Sequence, residues 1–199
     1  MQLKVIDSHT EGEPTRVVVE GGPELGSGTM AERAARFRAE HDRLRSAVCN
    51  EPRGHEAMVG ALVCEPHEPD CCCGAIFFNN VGTLNMCIHA TIGLVVTLAH
   101  LGRIGPGEHR IDTPVGVVTA TLGGDGRVTV ANVPSYRTAK DLAVEVPGWG
   151  RVVGDVAWGG NWFFLVADQG PAVEFARLEE LTAFTWAVRK ALEAGGVTG

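Results

Sequence analysis

Along most of the chain apolar positions alternate with polar ones or gather into short blocks, and only a few stretches carry the spacing of a helix face. Residues 3–7 and 15–20 read as strands flanking Ser8-His9-Thr10-Glu11-Gly12-Glu13-Pro14, a polar loop dense in groups able to bind backbone or ligand. Residues 30–46 form a charged amphipathic stretch with Thr29 as its N-cap, and the charge alternation predicts a solvated surface helix with i,i+4 pairs. Strand-like runs follow at 57–64 and 74–79. The run Ile92-Gly93-Leu94-Val95-Val96-Thr97-Leu98-Ala99-His100-Leu101 is nearly apolar all round. Its β-branched residues would suit a buried strand, but its length and the stop at Gly102, a C′ glycine, predict a buried helix. Further strands at 108–113, 115–122 and 127–133 are separated by Pro114 and by the hairpin signal Gly123-Gly124-Asp125-Gly126. Little apolar periodicity over 134–142 marks a change of unit, which divides the chain into 1–134 and 135–199. The second unit reads as strands at 143–146, 151–157 and 162–167 and a helix at 176–194, with Trp186, Val188 and Leu192 among its buried residues.

Composition sharpens this into a β-rich α+β protein. Twenty-six glycines and ten prolines, spread without a period, imply many tight turns between short strands, and 45% hydrophobic residues in 199 suffice for a real core. A net charge of −7 with no Lys/Arg cluster argues against a nucleic-acid surface. The N-terminal residues enter a strand-like run with no signal-peptide pattern, and no apolar stretch reaches membrane-spanning length, so a cytoplasmic protein with no membrane partner is expected. The six cysteines are then expected to be thiols. Cys71-Cys72-Cys73 invites a metal reading, but consecutive strand residues face opposite ways and no second Cys/His pair stands at zinc spacing; no metal is expected.

The candidate chemistry lies in Asn85-Met86-Cys87-Ile88-His89-Ala90-Thr91-Ile92-Gly93, which sets a cysteine at the start of the buried helix. A helix start leaves backbone N–H groups unpaired and carries positive dipole, so it can bind a carboxylate and stabilise a thiolate. A cysteine at such a place can equally be a small buried hydrophobe, and His89 a structural hydrogen-bonding residue.

Four segments in one order go further: Asp7-Ser8-His9-Thr10-Glu11-Gly12-Glu13-Pro14-Thr15-Arg16, Glu51-Pro52-Arg53-Gly54-His55, Ile76-Phe77-Phe78-Asn79-Asn80-Val81-Gly82 and Met86-Cys87-Ile88-His89-Ala90-Thr91-Ile92-Gly93. With Asp155-Val156-Ala157-Trp158-Gly159-Gly160-Asn161-Trp162-Phe163-Phe164 they resemble the proline racemase family over essentially all 199 residues. Phe77-Phe78-Asn79-Asn80 and Trp162-Phe163-Phe164 look most like its 4-hydroxyproline 2-epimerase branch. The resemblance implies a two-lobed, diaminopimelate epimerase-like fold with the second lobe incomplete here. It also implies an imino-acid substrate, hydroxyproline or proline, and no cofactor; the oligomeric state, a homodimer included, stays open. In such enzymes one cysteine removes the α-proton as thiolate and a second, as thiol, reprotonates the other face.

Carried over by position, Cys87 is the first base, and the amides of Ile88 and His89 bind the substrate carboxylate. Phe78, Asn79, Gly159-Gly160-Asn161, His9 and His55 are either site residues or core and turn residues. Ile88 and Ala90 stand where the family usually has glycine, and a branched residue at 88 is expected to crowd the backbone or to resist a positive φ. No Cys-Gly-Thr-Gly-Thr-like segment for the second base occurs within 1–199, so weak or no inversion is expected of these residues alone. A 3-hydroxyproline dehydratase-like lyase and a non-catalytic imino-acid-binding protein are the alternatives.

Overall fold

The computed structural model describes residues 2–167 and 169–197, and the chain divides into two compact units, Met1–Val133 and Pro134–Gly199. The first unit holds strands β1 (Lys4–Thr10), β2 (Glu13–Glu20), β3 (Val59–Cys64), β4 (Cys73–Phe78), β5 (Thr83–Leu84), β6 (Gly107–Thr113), β7 (Gly116–Leu122) and β8 (Val128–Ala131), and helices α1 (Met30–Glu40), α2 (Asp42–Cys49) and α3 (Ile88–His100). Its sheet runs β1-β2-β3-β4-β6-β7-β8, with β5 paired to the end of β4. The β2–β3 and β4–β6 pairs are parallel and the rest antiparallel. Helix α3 touches β1, β2 and β3 at one end of this order and β7 and β8 at the other, so the sheet curls around it, while α1 and α2 cover the outer face at β4 and β3.

Covering both faces produces two cores from one set of strands. In β4, Cys73, Ala75 and Phe77 turn toward α3, whereas Ile76 and Phe78 join Met30, Phe37 and Val48 on the outer side. All six β4 residues are buried, which accounts for its unbroken apolar run. Inside the curl α3 buries Ala90, Leu94, Val95 and Leu98 against Val17, Ala61, Ile111 and Val118. It ends as its sequence predicts. Gly102 takes φ +67°, its N–H bonds the Ala99 carbonyl and that of Arg103 bonds Leu98, forming a Schellman motif.

The predicted helix at 30–46 is two helices. Thr29 and Glu32 form a reciprocal capping box at the start of α1, but His41 leaves helical geometry and α2 begins anew at Asp42. Nor is the stretch only a solvated face, since Met30 and Phe37 are fully buried. The predicted polar loop at 8–14 is largely strand. Only Glu11 and Gly12, at φ 49° and 99°, make the turn, as in a two-residue type I′ hairpin.

The second unit pairs β9 (Tyr136–Val146), β10 (Gly150–Trp158) and β11 (Trp162–Val166) in the order β11-β10-β9, with α4 (Leu178–Ala194) after a 3-10 turn at Phe175–Arg177. Strand β9 starts seven residues before the predicted 143. The register slips opposite Asp155, whose carboxylate accepts the Asp141 N–H (2.9 Å) and pairs with Arg137 (2.7 Å), pinning Asp141 at φ 53°. Val188 and Leu192 are buried with Phe184, as α4's spacing requires, but Trp186 is 47% exposed, with Arg189 5.2 Å above its ring.

Candidate functional site

Cys87 is the N-cap of α3, with extended backbone (φ −146°, ψ 112°). Its carbonyl accepts both the Thr91 N–H (2.9 Å) and the Thr91 hydroxyl (2.8 Å), which fixes the first helical turn beneath it. The half-buried Sγ lies 3.3 Å from His89 Nδ1. On the other side of that ring, Nε2 lies 3.4 Å from the Pro14 carbonyl. A carbonyl only accepts, so Nε2 carries the proton and Nδ1 turns its lone pair to the cysteine. Thr10 Oγ1 donates to the His89 carbonyl at 3.4 Å. The tip of the β1–β2 hairpin is thus joined to the start of α3.

Gly93 makes that approach close. A Cβ at 93 would lie 2.7 Å from Thr15 Cβ, 2.8 Å from Thr15 Oγ1 and 2.9 Å from Ser8 Oγ, so any side chain would push the helix off the hairpin.

Burial pushes the Cys87 thiol above its ordinary value; the Ala90 and His89 amides pull it down and the Glu13 carboxylate pushes it up again. Burial prevails, so at neutral pH the resting group is a thiol that can donate to His89 Nδ1. The helix start therefore supplies N–H groups aimed at sulfur without by itself producing a thiolate. Ile88 opens α3 in right-handed helical geometry with its side chain 47% exposed. The expected need for a positive φ at 88 does not arise. Ile88 and His89 stand at the first two helical positions, whose amides have no acceptor within the helix.

The other candidates lie elsewhere or serve the frame. Phe78 is fully buried in the outer core, 5.3 Å from the Phe37 ring. Asn79 builds the turn after β4, its Oδ1 accepting the N–H groups of Val81 (2.9 Å) and Gly82 (3.0 Å). His9 accepts the Gly12 N–H at the hairpin tip (3.3 Å), and His55 is an exposed turn residue. Gly159-Gly160-Asn161 forms the β10–β11 turn of the second unit, with Gly160 at φ 97°. Sequence reasoning marked the 8–14 stretch as able to bind backbone or ligand but did not tie Thr10, Glu13 and Pro14 to Cys87, because nothing local announces a contact across more than seventy positions. It gave Thr91 no part in the Cys87 surroundings, although the i,i+4 spacing of the two could have revealed it. Among the described residues no group of three or more His, Cys, Asp or Glu side chains is placed to hold a metal ion, and no helix is long and apolar enough to cross a membrane.

Comparison with known proteins bears on family and fold. The proline racemase family profile matches residues 5–197. A 4-hydroxyproline 2-epimerase of Pseudomonas putida is 60% identical over 198 residues, covering all of this chain and 64% of the relative. Among solved structures, a probable proline racemase from Agrobacterium radiobacter with bound carbonate superposes with TM-score 0.90 at 25% identity, over 96% of this chain and 60% of that one. A hydroxyproline epimerase from Agrobacterium vitis with bound trans-4-hydroxy-L-proline gives TM-score 0.77 at 24% identity, over 82% and 51%. The chain thus spans about two thirds or less of the length of the proteins it matches.

Proposed function

Since the chain belongs to the proline racemase family, we propose that it carries one half of the machinery of a cofactor-independent 4-hydroxyproline 2-epimerase, with Cys87 as the base for one face of the α-carbon. The observation that carries this reading is the triad of contacts at the start of α3: Sγ of Cys87 on His89 Nδ1, His89 Nε2 on the Pro14 carbonyl, and first-turn amides beside them. The substrate is read from the 60% identical Pseudomonas putida relative.

In this reading the substrate carboxylate lies on the Ile88 and His89 amides. Their N–H groups and the helix dipole stabilise the enolate-like charge that grows there as the α-proton leaves. His89 Nδ1 takes the thiol proton, which frees the thiolate to remove the α-proton, and the Pro14 carbonyl keeps the imidazole in the tautomer this requires. A single base cannot serve both faces of a planar carbanion, so inversion calls for a second acid on the opposite side. We propose the units 1–134 and 135–199 as a first lobe bearing Cys87 and part of a second. Residues 1–199 alone are expected to exchange the α-proton on one face, with weak or no inversion.

The test is incubation of the chain with trans-4-hydroxy-L-proline in deuterated water, following the α-proton by NMR. Exchange that vanishes in Cys87→Ser supports the reading. Exchange that survives the substitution removes Cys87 from the role of base.

A further inference from the structure

We propose that Glu13 binds the ring ammonium of the substrate, so that the Cys87 site selects zwitterionic imino acids over simple carboxylates. The assignment rests on the reading of the α3 start as the imino-acid site.

The pleat of the hairpin places Glu13. Strand β2 sends Val17 and Val19 into the core around α3 and Val18 into the outer core. Thr15 shares a side with Val17, and it is Thr15 that lies against Gly93. Glu13 is two residues further back on the same strand, in unbroken register with β1, and so continues that set toward α3. Two strand residues span about 7 Å and one helical turn about 5.4 Å, so the step from Thr15 back to Glu13 matches the step from Gly93 back to His89. Two contacts fix this alignment. The Pro14 carbonyl faces His89 Nε2 (3.4 Å), and Thr10, directly opposite Glu13, donates to the His89 carbonyl (3.4 Å). Glu13 therefore stands level with the start of α3, where Cys87 and the first-turn amides lie.

Its charge is unpaired there. Asp7 and Arg16, on the opposite face of the hairpin, hold each other through two bonds (2.8 and 2.7 Å). The Glu13 side chain is exposed and makes no hydrogen bond or ion pair among the described residues. Of Ile6, Ser8, Thr10, Glu13, Thr15 and Val17, which form the hairpin's α3 side, it alone is charged. Cys87 registers it: burial pushes that thiol up, the Ala90 and His89 amides pull it down, and the Glu13 carboxylate pushes it up again.

A carboxylate at this place opposes the thiolate and also repels any anion that approaches the amides. A ligand that brings its own cation reverses both effects. With the substrate carboxylate on the Ile88 and His89 amides and the α-carbon at Cys87 Sγ, the ring nitrogen is one bond from that carbon, beside the acid. Its ammonium cancels the Glu13 charge through a charge-assisted hydrogen bond and withdraws charge from the carbanion as the α-proton leaves. The ammonium keeps its own protons throughout; Glu13 binds and does not transfer.

The test changes ligand and residue together. NMR titration gives dissociation constants for trans-4-hydroxy-L-proline and for tetrahydrofuran-2-carboxylate, which keeps a ring and carboxylate but has an ether oxygen in place of the ammonium. Each ligand is titrated into the unaltered chain, Glu13→Gln and Glu13→Asp, all at an exposed position where the fold is expected to stand. Glu13→Gln should weaken the imino acid about tenfold and leave the ether unchanged or tighter, while Glu13→Asp keeps part of the preference. The proposal is overturned if Glu13→Gln changes both ligands by the same factor, if it binds the imino acid as well as the unaltered chain does, or if the unaltered chain does not prefer the imino acid to the ether. Exchange of the α-proton separates this from the catalytic reading. A preference for ammonium that depends on Glu13, in a chain that shows no exchange, supports the proposal and removes Cys87 as a base. Exchange whose KM does not move in Glu13→Gln does the reverse.

Discussion

The two ends of β4 present cysteines in opposite settings. Cys87 sits at a helix start, where dipole and amides favour a thiolate, and is nevertheless held as a thiol because it is half-buried near Glu13. Cys72 has no helix to help it and is exposed, yet one buried neighbour thiol brings it to about 7. Desolvation and the nearest hydrogen-bond partner outweigh the helix dipole here, whose influence is worth about 0.3–1 kcal/mol at exposed sites. In the proposed mechanism the Cys87 proton must therefore be taken away by a partner, and His89 Nδ1 lies 3.3 Å from its sulfur.

The sharpest way to break this contrast is to remove each thiol in turn. Cys87→Ser should lower α-proton exchange by a hundredfold or more, on the order of what a positioned base supplies, whereas Cys72→Ser should leave exchange unchanged. Equal losses would erase the distinction. Gly93→Ala comes next: a Cβ 2.7–2.9 Å from Thr15 and Ser8 should cost about 1–3 kcal/mol in urea unfolding, although alanine is the better helix former by about 1 kcal/mol. A neutral or stabilising result would show that α3 does not depend on close contact with the hairpin. His89→Ala should reduce exchange by about tenfold and shift its pH profile alkaline, because the thiol loses its proton acceptor. An unshifted profile would mean that Cys87 ionises without help.

The smallest effect concerns the thiols with no proposed role. Cys49 and Cys64 are raised in the fold to about 11 and about 12 from 9.0, so the folded chain keeps protons that the unfolded chain releases. Their contribution to stability is whole below about pH 9 and is lost as pH rises toward 11–12. Urea midpoints at pH 8 and 10.5 should differ less in Cys49→Ala than in the unaltered chain.

The sequence made legible what punctuation and local pattern encode. Gly102 marks the end of α3, Thr29 caps α1, and Gly123-Gly124-Asp125-Gly126 turns β7 into β8. It also placed Cys87 at a helix start. The break at His41 carries no glycine or proline, so nothing local announces it. The polarity of Ser8–Thr10 reads as loop although these residues pair with Glu13–Thr15, because exposed hairpin ends need no apolar alternation. Phe77 and Phe78 looked like one motif. Pleating sends the first toward α3 and the second into the outer core, a distinction that appears only when both faces are known to be covered. Trp186 falls on α4's exposed side for the complementary reason: size suggested burial where helical phase did not.

The contacts from the hairpin tip to His89 join residues 75 and 79 positions apart. Closing a chain segment of that length is entropically costly and slow relative to forming a helix, so α3 can be wound before its ring partner arrives. Until then Cys87 has neither the shelter of the hairpin nor the Pro14 carbonyl to set its histidine. Its rate of alkylation during refolding would then act as a clock for the final docking of the chain's first twenty residues, reporting the moment at which an ordinary thiol becomes a guarded one.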